Sequence, residues 1–309
     1  GELVVAPHDC YGGTYRLLAA LARRGQLDVE FVDQTNPEIL RAVIARKARL
    51  VWVETPSNPL LRIVDIRAVA RHCQASGALL AVDNTFLSPG WQRPVEHGAD
   101  LVVHSTTKYL NGHSDVVGGA VITTRAELQD ELSWWGNCLG VTGAPFDSYL
   151  TLRGLRTLQA RLRVHEENAH AAVALLSSHA AVERVYYPGI STHPGHSVAA
   201  AQQRGFGAMV SFELSGGLPA VTAFTNGLSC FSLAESLGGV ESLIAHPASM
   251  THAAMDAEAR ARAGISAALL RLSIGIEDWR DLLADLDAAL SRAEEVTGKA
   301  DPALLTAAC

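Results

Sequence analysis

The strongest constraint on the fold is a series of short apolar runs that each stop at a polar stretch. Leu3–Ala6, Val29–Val32, Leu50–Glu54, Leu79–Asp83 and Leu101–Val103 read as buried strands. Between them lie stretches with helical spacing: Thr14–Arg24 stopped by Gly25, Glu38–Arg46 opened by Asn36-Pro37, and Asp65–Ser76 capped by Gly77. Strand alternating with helix predicts a mostly parallel sheet covered on both faces. Ligands of such sheets sit beyond the carboxyl ends of the strands. Tyr11, Asn58, Asp83 and Ser105–Lys108 all follow predicted strands, so one cleft can hold them. Ala120–Thr123 adds a strand candidate and Gln92–Gly98 a short helical one.

The chemistry concentrates in ADLVVHSTTKYLNGHSDVVGG, residues 99–119. Hydroxyls and backbone N–H groups at Ser105, Thr106 and Thr107 suit a phosphate. A partly desolvated lysine, here Lys108, can lose its proton and attack a carbonyl. Gly112, Gly118 and Gly119 allow close turns. Taken alone, Lys108 reads as a solvated lysine after a strand. Asp83, at the end of the preceding apolar run, changes that. A carboxylate on a ring nitrogen and a lysine on an aldehyde are the protein's contribution to pyridoxal phosphate chemistry. Taken alone, Asp83 reads as a turn-initiating Asx cap.

The 309 residues suffice for two domains, and the boundary is expected near residue 160, giving 1–160 and 161–309. The net charge of −7 provides no basic footprint for nucleic acid. No apolar stretch approaches the roughly 18 residues of a membrane span, and no signal-peptide pattern opens the chain. The five cysteines, an odd number without CxxC spacing, read as reduced thiols in a cytoplasmic protein. Pro145 to about Ala180 reads as helix. Its Arg153, Arg156, Arg161 and Arg163 suit either an anion site or, more commonly, a solvated face. Met209–Leu214, Ser229–Ala234 and Leu269–Ile274 are strand candidates, and Asp278–Val296 is an amphipathic helix, together a smaller α+β domain.

Other constellations carry less. His193 and His196 lack an acidic or thiol neighbour, so no metal is expected. His246 and His252 read as polar loop residues. His113-Ser114-Asp115 are adjacent in sequence, without the GxSxG elbow of a hydrolase. No P-loop or GxGxxG follows a strand. Arg271, between leucines in LLRLSIG, either needs a partner inside or points outward. An inward arginine can clamp a carboxylate bidentately.

DCYGGTYRL, VETPSNPLLRIVDI, VDNTFLSP, HSTTKYLNGHSDVVGG, AESLGGVESLI and LLRLSIGIED resemble the Cys/Met-metabolism family of pyridoxal-phosphate enzymes. The likeness runs through nearly the whole chain. It implies the aspartate-aminotransferase-like fold (fold type I), with a mostly parallel α/β domain and a smaller C-terminal α+β domain. It implies Lys108 as the lysine bonded to the cofactor, Asp83 on the pyridine nitrogen, Ser105 and Thr107 on the phosphate, and Tyr11 stacked on the ring and able to accept a proton. It implies Arg271 on the substrate carboxylate, helped by Asn58, Ser236 and Arg16, with Glu235 near the distal part of the substrate. WWGNCLGVTGAPFDSYLTLRGLRTL and HPASMTHAAMDAEARARAGIS favour members that join an O-acylated homoserine, the succinyl ester, to cysteine and release cystathionine. Members that cleave cystathionine are the rival, and homoserine-ester sulfhydrylases come next. Gly13 disfavours methionine γ-lyases, and the Tyr11-Gly12-Gly13 and Glu235-Ser236 pairs disfavour cystathionine β-lyases.

The resemblance further implies a homotetramer with active sites shared between subunits. It also implies a segment before Gly1 that supplies a phosphate-binding helix start and a Tyr/Arg pair for the neighbouring subunit. Two other classes are a serine hydrolase using Ser105 or Ser114, and a non-catalytic scaffold.

Overall fold

The computed structural model describes residues 1–252 and 257–298. In chain order the first part runs β1 (Leu3–Pro7), α1 (Gly12–Arg23), β2 (Asp28–Val32), α2 (Pro37–Ile44), β3 (Leu50–Glu54), α3 (Ile66–Ser76), β4 (Leu79–Asp83), α4 (Ser88–Trp91), β5 (Leu101–Ser105), β6 (Gly119–Ile122), α5 (Ala126–Leu139) and α6 (Pro145–Leu155). It continues with α7 (Leu158–Ser178), β7 (Val182–Tyr186), α8 (His196–Gln202), β8 (Met209–Leu214), α9 (Gly217–Thr225), β9 (Ser232–Leu233), β10 (Leu243–Ala245), α10 (Ala257–Ala263), β11 (Leu269–Ser273) and α11 (Trp279–Gly298).

The helix ends follow from local chemistry. Asn36 caps α2 by accepting from the backbone N–H of Glu38 and Ile39, with Pro37 in the first turn. Asp65 caps α3 through Ala68 N–H, and Gly77, at φ 75°, ends it in the left-handed conformation. The helical region expected from Pro145 divides in two, because α6 and α7 are separate helices.

Two compact units result: residues 1–162 with 188–207, and residues 163–187 with 208–309. A single boundary near residue 160 does not describe the return of 188–207 to the first unit. The first unit is built on a six-stranded sheet of order β2-β1-β3-β4-β5-β6. All its neighbours are parallel except β5 and β6. Val5, Val51, Val53, Leu80, Val82 and Ile66 are wholly buried in its core. The return of 188–207 is held by buried amides. Gln202 accepts from Ile66 N–H and donates to Val64 O and Gln92 Oε1. Gln92 Nε2 in turn donates to Thr55 O and Asn84 Oδ1. Each amide answers a backbone or side-chain group that burial would otherwise leave orphaned.

The second unit carries a five-stranded sheet of order β7-β8-β11-β10-β9, antiparallel except for the β9–β10 pair. All five residues of its central strand, β11, are buried. Helices α9 and α11 pack together, and Phe224 of α9 meets Phe212 of β8 edge to face at 5.5 Å. His165 Nδ1 lies 2.6 Å from Ile274 O, and Asn168 Nδ2 donates to Gly275 O and Glu277 O. These bonds tie α7 to the turn after β11.

Candidate active site

In the first unit, parallel β1, β3, β4 and β5 are neighbours, so their carboxyl ends share one edge of the sheet. That edge carries the loop of Tyr11, the loop of Asn58, then Asp83, and finally Ser105 and the turn to Lys108. Asp83 Oδ1 accepts from Thr85 N–H at 2.9 Å, an Asx turn. Thr85 Oγ1 accepts from Ser105 N–H at 2.9 Å, linking the ends of β4 and β5. Lys108 N–H donates to Ser105 O and Gly112 N–H to Lys108 O, so the lysine sits in a hydrogen-bonded turn. Thr107 Oγ1 accepts from Gly118 N–H at 3.0 Å.

Tyr11 ends the β1 loop and precedes α1, and the residue is 57% exposed. A Cβ on Gly13 would lie 2.4 Å from Tyr11 Cε1, so the ring's position requires glycine there. Arg16 lies on the exposed face of α1, with no hydrogen bond or ion pair among the described residues. Asn58 is buried. Its loop is anchored by Asp9, whose Oδ2 accepts from Ser57 Oγ at 2.9 Å and from Arg62 Nη1 at 2.8 Å.

The second unit brings together the other expected residues. Arg271, on β11, is only 2% exposed, and its Nη2 donates to Glu235 O at 2.9 Å and Ser236 O at 3.1 Å. It therefore points inward, and the alternative of an outward strand arginine falls. The stretch 246–266, used above to choose among family members, includes residues 253–256, which lie outside the described residues.

Glu54 was missed in the sequence, where it reads only as the end of a strand. It stands beside Asp83 in the β3–β4 register. Its Oε2 accepts from Tyr11 N–H at 2.8 Å, and its Oε1 from Trp52 Nε1 at 3.1 Å. Burial first, and the Asp83 charge second, push its carboxyl up to about 8. Burial also raises Asp83 above the usual carboxylate range. The sign for stability follows. From roughly pH 5 to 8 the folded chain holds a proton on Glu54 that the unfolded chain has released. Stability is therefore full at the acid end of this window and falls as pH rises. In cofactor-free protein the urea midpoint should drop from about pH 6.5 to 8, above the range in which buried His104, pulled down to about 4, works in the opposite direction, and Glu54→Gln should reduce that drop. An undiminished drop in the variant would show that Glu54 is not the group that titrates.

The comparisons with known proteins follow this geometry. The family model described as Cys/Met metabolism PLP-dependent enzyme matches residues 1–291. The chain belongs to this family. A cystathionine γ-synthase of Escherichia coli (strain K12) is 58% identical over 287 residues, covering 93% of this chain and 74% of that protein. A cystathionine γ-lyase of Dictyostelium discoideum is 48% identical over 292 residues, covering 94% of this chain and 76% of that protein. The crystal structure of cystathionine γ-synthase from Xanthomonas oryzae pv. oryzae in complex with cystathionine superposes with a TM-score of 0.94 at 64% identity, covering 96% of this chain and 76% of that one. The fold is accordingly that of the PLP-dependent enzymes of this family.

The residues present fit the family's cofactor. Asp83 is a half-buried carboxylate with no ion-pair partner among the described residues, and a protonated ring nitrogen would supply the missing positive charge. Ser105 and Thr107 offer hydroxyls beside Lys108, and Tyr11 offers an exposed aromatic face held in place by Glu54.

Proposed function

We propose that the chain catalyses γ-replacement, forming L-cystathionine and succinate from O-succinyl-L-homoserine and L-cysteine, on the transsulfuration route to methionine. The observation that carries synthesis over cleavage is the 58% identity to the E. coli γ-synthase, against 48% to the Dictyostelium γ-lyase. When bound, pyridoxal phosphate supplies an aldehyde for an amine and a ring that accepts the electron pair released at the substrate Cα. Lys108 would hold the cofactor, and as a free amine its Nζ would move the Cα and Cβ protons. Asp83 holds the proton on the ring nitrogen. Tyr11 would stack on the ring, and its hydroxyl would accept a proton. Ser105 and Thr107 bind the phosphate.

Arg271 binds the substrate α-carboxylate. Its two backbone partners at Glu235 and Ser236 fix the guanidinium, so little freedom is lost on binding. Asn58 orients the substrate, Arg16 assists at its carboxylate, and Glu235 receives the distal amino acid. The Cγ–O bond breaks with its electron pair leaving on succinate, and the cysteine sulfur bonds to Cγ as its thiol proton is released.

The substrates are small amino acids, and among the described residues no helix is long and apolar enough to cross a membrane. We place the enzyme in the cytoplasm, where Cys10, Cys73, Cys138 and Cys230 remain thiols. We propose a homotetramer. Helices α5 and α6 bury only Leu128 and Gly154 respectively, while Trp134, Trp135, Leu139, Phe146, Tyr149 and Leu152 stand exposed. Large apolar surfaces of this kind are covered by partners, here a second copy.

The decisive measurement is a ratio of kcat/KM values for the enzyme loaded with cofactor. O-succinylhomoserine with cysteine should be turned into cystathionine at least about tenfold more efficiently than cystathionine is cleaved to cysteine, ammonia and 2-oxobutyrate. A ratio favouring cleavage would replace this reading with the γ-lyase one.

A further inference from the structure

Of the four arginines Arg153, Arg156, Arg161 and Arg163, three are exposed and one is not. Arg161 is 5% exposed. Burying a guanidinium is costly unless it is paired and hydrogen-bonded. Among the described residues Arg161 has no carboxylate partner. Its Nε donates to Thr157 Oγ1 at 3.2 Å and its Nη2 to Gly154 O at 2.9 Å, while Nη1 has no hydrogen-bond partner. The solvated-face reading fails for this residue, and salt-bridge chemistry does not replace it.

What Arg161 touches accounts for its place. A Cβ on Gly112 would lie 2.2 Å from Arg161 Nη1 and 2.6 Å from Cζ. The guanidinium thus fills the space that a side chain at 112 would occupy. Gly112 has φ +78°, a conformation glycine adopts without strain. Its N–H donates to Lys108 O at 2.8 Å, and Asn111 N–H donates to Thr106 O at 2.9 Å. The opposite support is Gly154, where a Cβ would lie 2.2 Å from Asn111 O. Gly154 O is the acceptor for Arg161 Nη2. The turn from Ser105 to Gly112 is therefore held between the backbone of α6 and a buried guanidinium that is bonded to that same helix.

We propose that Arg161 is a positioning residue for Lys108, its planar guanidinium locking the Ser105–Gly112 turn through the vacant side-chain positions of Gly112 and Gly154. The proposal rests on Lys108 being the lysine that holds the cofactor. A loose turn misplaces the amine without touching the groups that bind substrate, so kcat suffers and KM does not. A misplacement of about 1 Å at a reacting group costs on the order of 10²-fold in rate.

The test uses the cofactor-loaded enzyme. In Arg161→Met, amide hydrogen exchange across residues 108–112 should speed by about tenfold or more relative to strand β8. The kcat for cystathionine synthesis should fall by roughly 10–10²-fold with KM nearly unchanged. Arg161→Lys keeps the charge but loses the planar fork, so it should show the same exchange signature. Gly112→Ala should lower the unfolding midpoint more in the wild-type background than in Arg161→Ala, where the space is free. If Arg161→Met does not accumulate, Arg161→Lys and Gly112→Ala carry the same readouts. Wild-type exchange at 108–112 in Arg161→Met or Arg161→Lys overturns the proposal, as does an equal Gly112→Ala effect in both backgrounds. Borohydride fixation of the cofactor to Lys108 reports separately on the lysine's own role, so failure of that reading is recognised independently.

Discussion

Replacing Lys108 by alanine is expected to abolish cystathionine synthesis and to prevent borohydride from fixing the cofactor to the chain. The proposed lysine does two jobs, and alanine does neither. Loss of a positioned acid–base group alone costs roughly 10²–10⁴-fold. Loss of the covalent attachment adds to it, so kcat should fall by about 10⁴-fold or more. The structure favours a specific effect over misfolding. The turn is held by backbone bonds from Lys108 N–H to Ser105 O and from Gly112 N–H to Lys108 O, which alanine retains. Circular dichroism and the unfolding midpoint should therefore change little. A Lys108→Ala enzyme with wild-type turnover would end the assignment.

Asp83→Asn is expected to lower kcat by on the order of 10² or more, while the fold and some cofactor binding survive. Asparagine is the discriminating choice because Asp83 has two readings. As the start of an Asx turn it needs only an oxygen for Thr85 N–H, which asparagine supplies. As the partner of a protonated ring nitrogen it needs a negative charge, which asparagine lacks. Burial opposes that charge, and a cation on the ring would draw the carboxyl back toward its ionised form. Steady-state kinetics with O-succinylhomoserine and cysteine decide between the readings. Near wild-type kcat would leave Asp83 as a turn residue only.

The sheet edge was legible because each strand of the first unit is a short apolar run with a polar stop. Leu50–Glu54 and Leu79–Asp83 coincide with β3 and β4. The second sheet was harder: the strand read over Ser229–Ala234 keeps only Ser232–Leu233 as β9, and β10, with 3 residues, was too short for any periodicity to register. Arg271 could not be oriented from pattern, because every residue of β11 is buried and the strand shows no alternation. Glu54 and Asp9 escaped notice because a carboxylate beside a loop ordinarily faces water. Their partners, Tyr11 N–H, Ser57 and Arg62, come from other segments. Arg161 looked like its three exposed neighbours for the same reason, as the glycine that admits it, Gly112, is remote in sequence.

The return of residues 188–207 to the first unit imposes an order on biosynthesis. A ribosome delivers β1–β5 well before Gln202, the group that satisfies Ile66 N–H and Val64 O and meets the Gln92 amide. A nascent chain that has reached residue 160 thus holds its parallel sheet with several interior polar groups still unanswered. The first unit closes only after 163–187, which belong to the other unit, have already emerged. The first unit therefore cannot finish folding until the chain has emerged past Gln202.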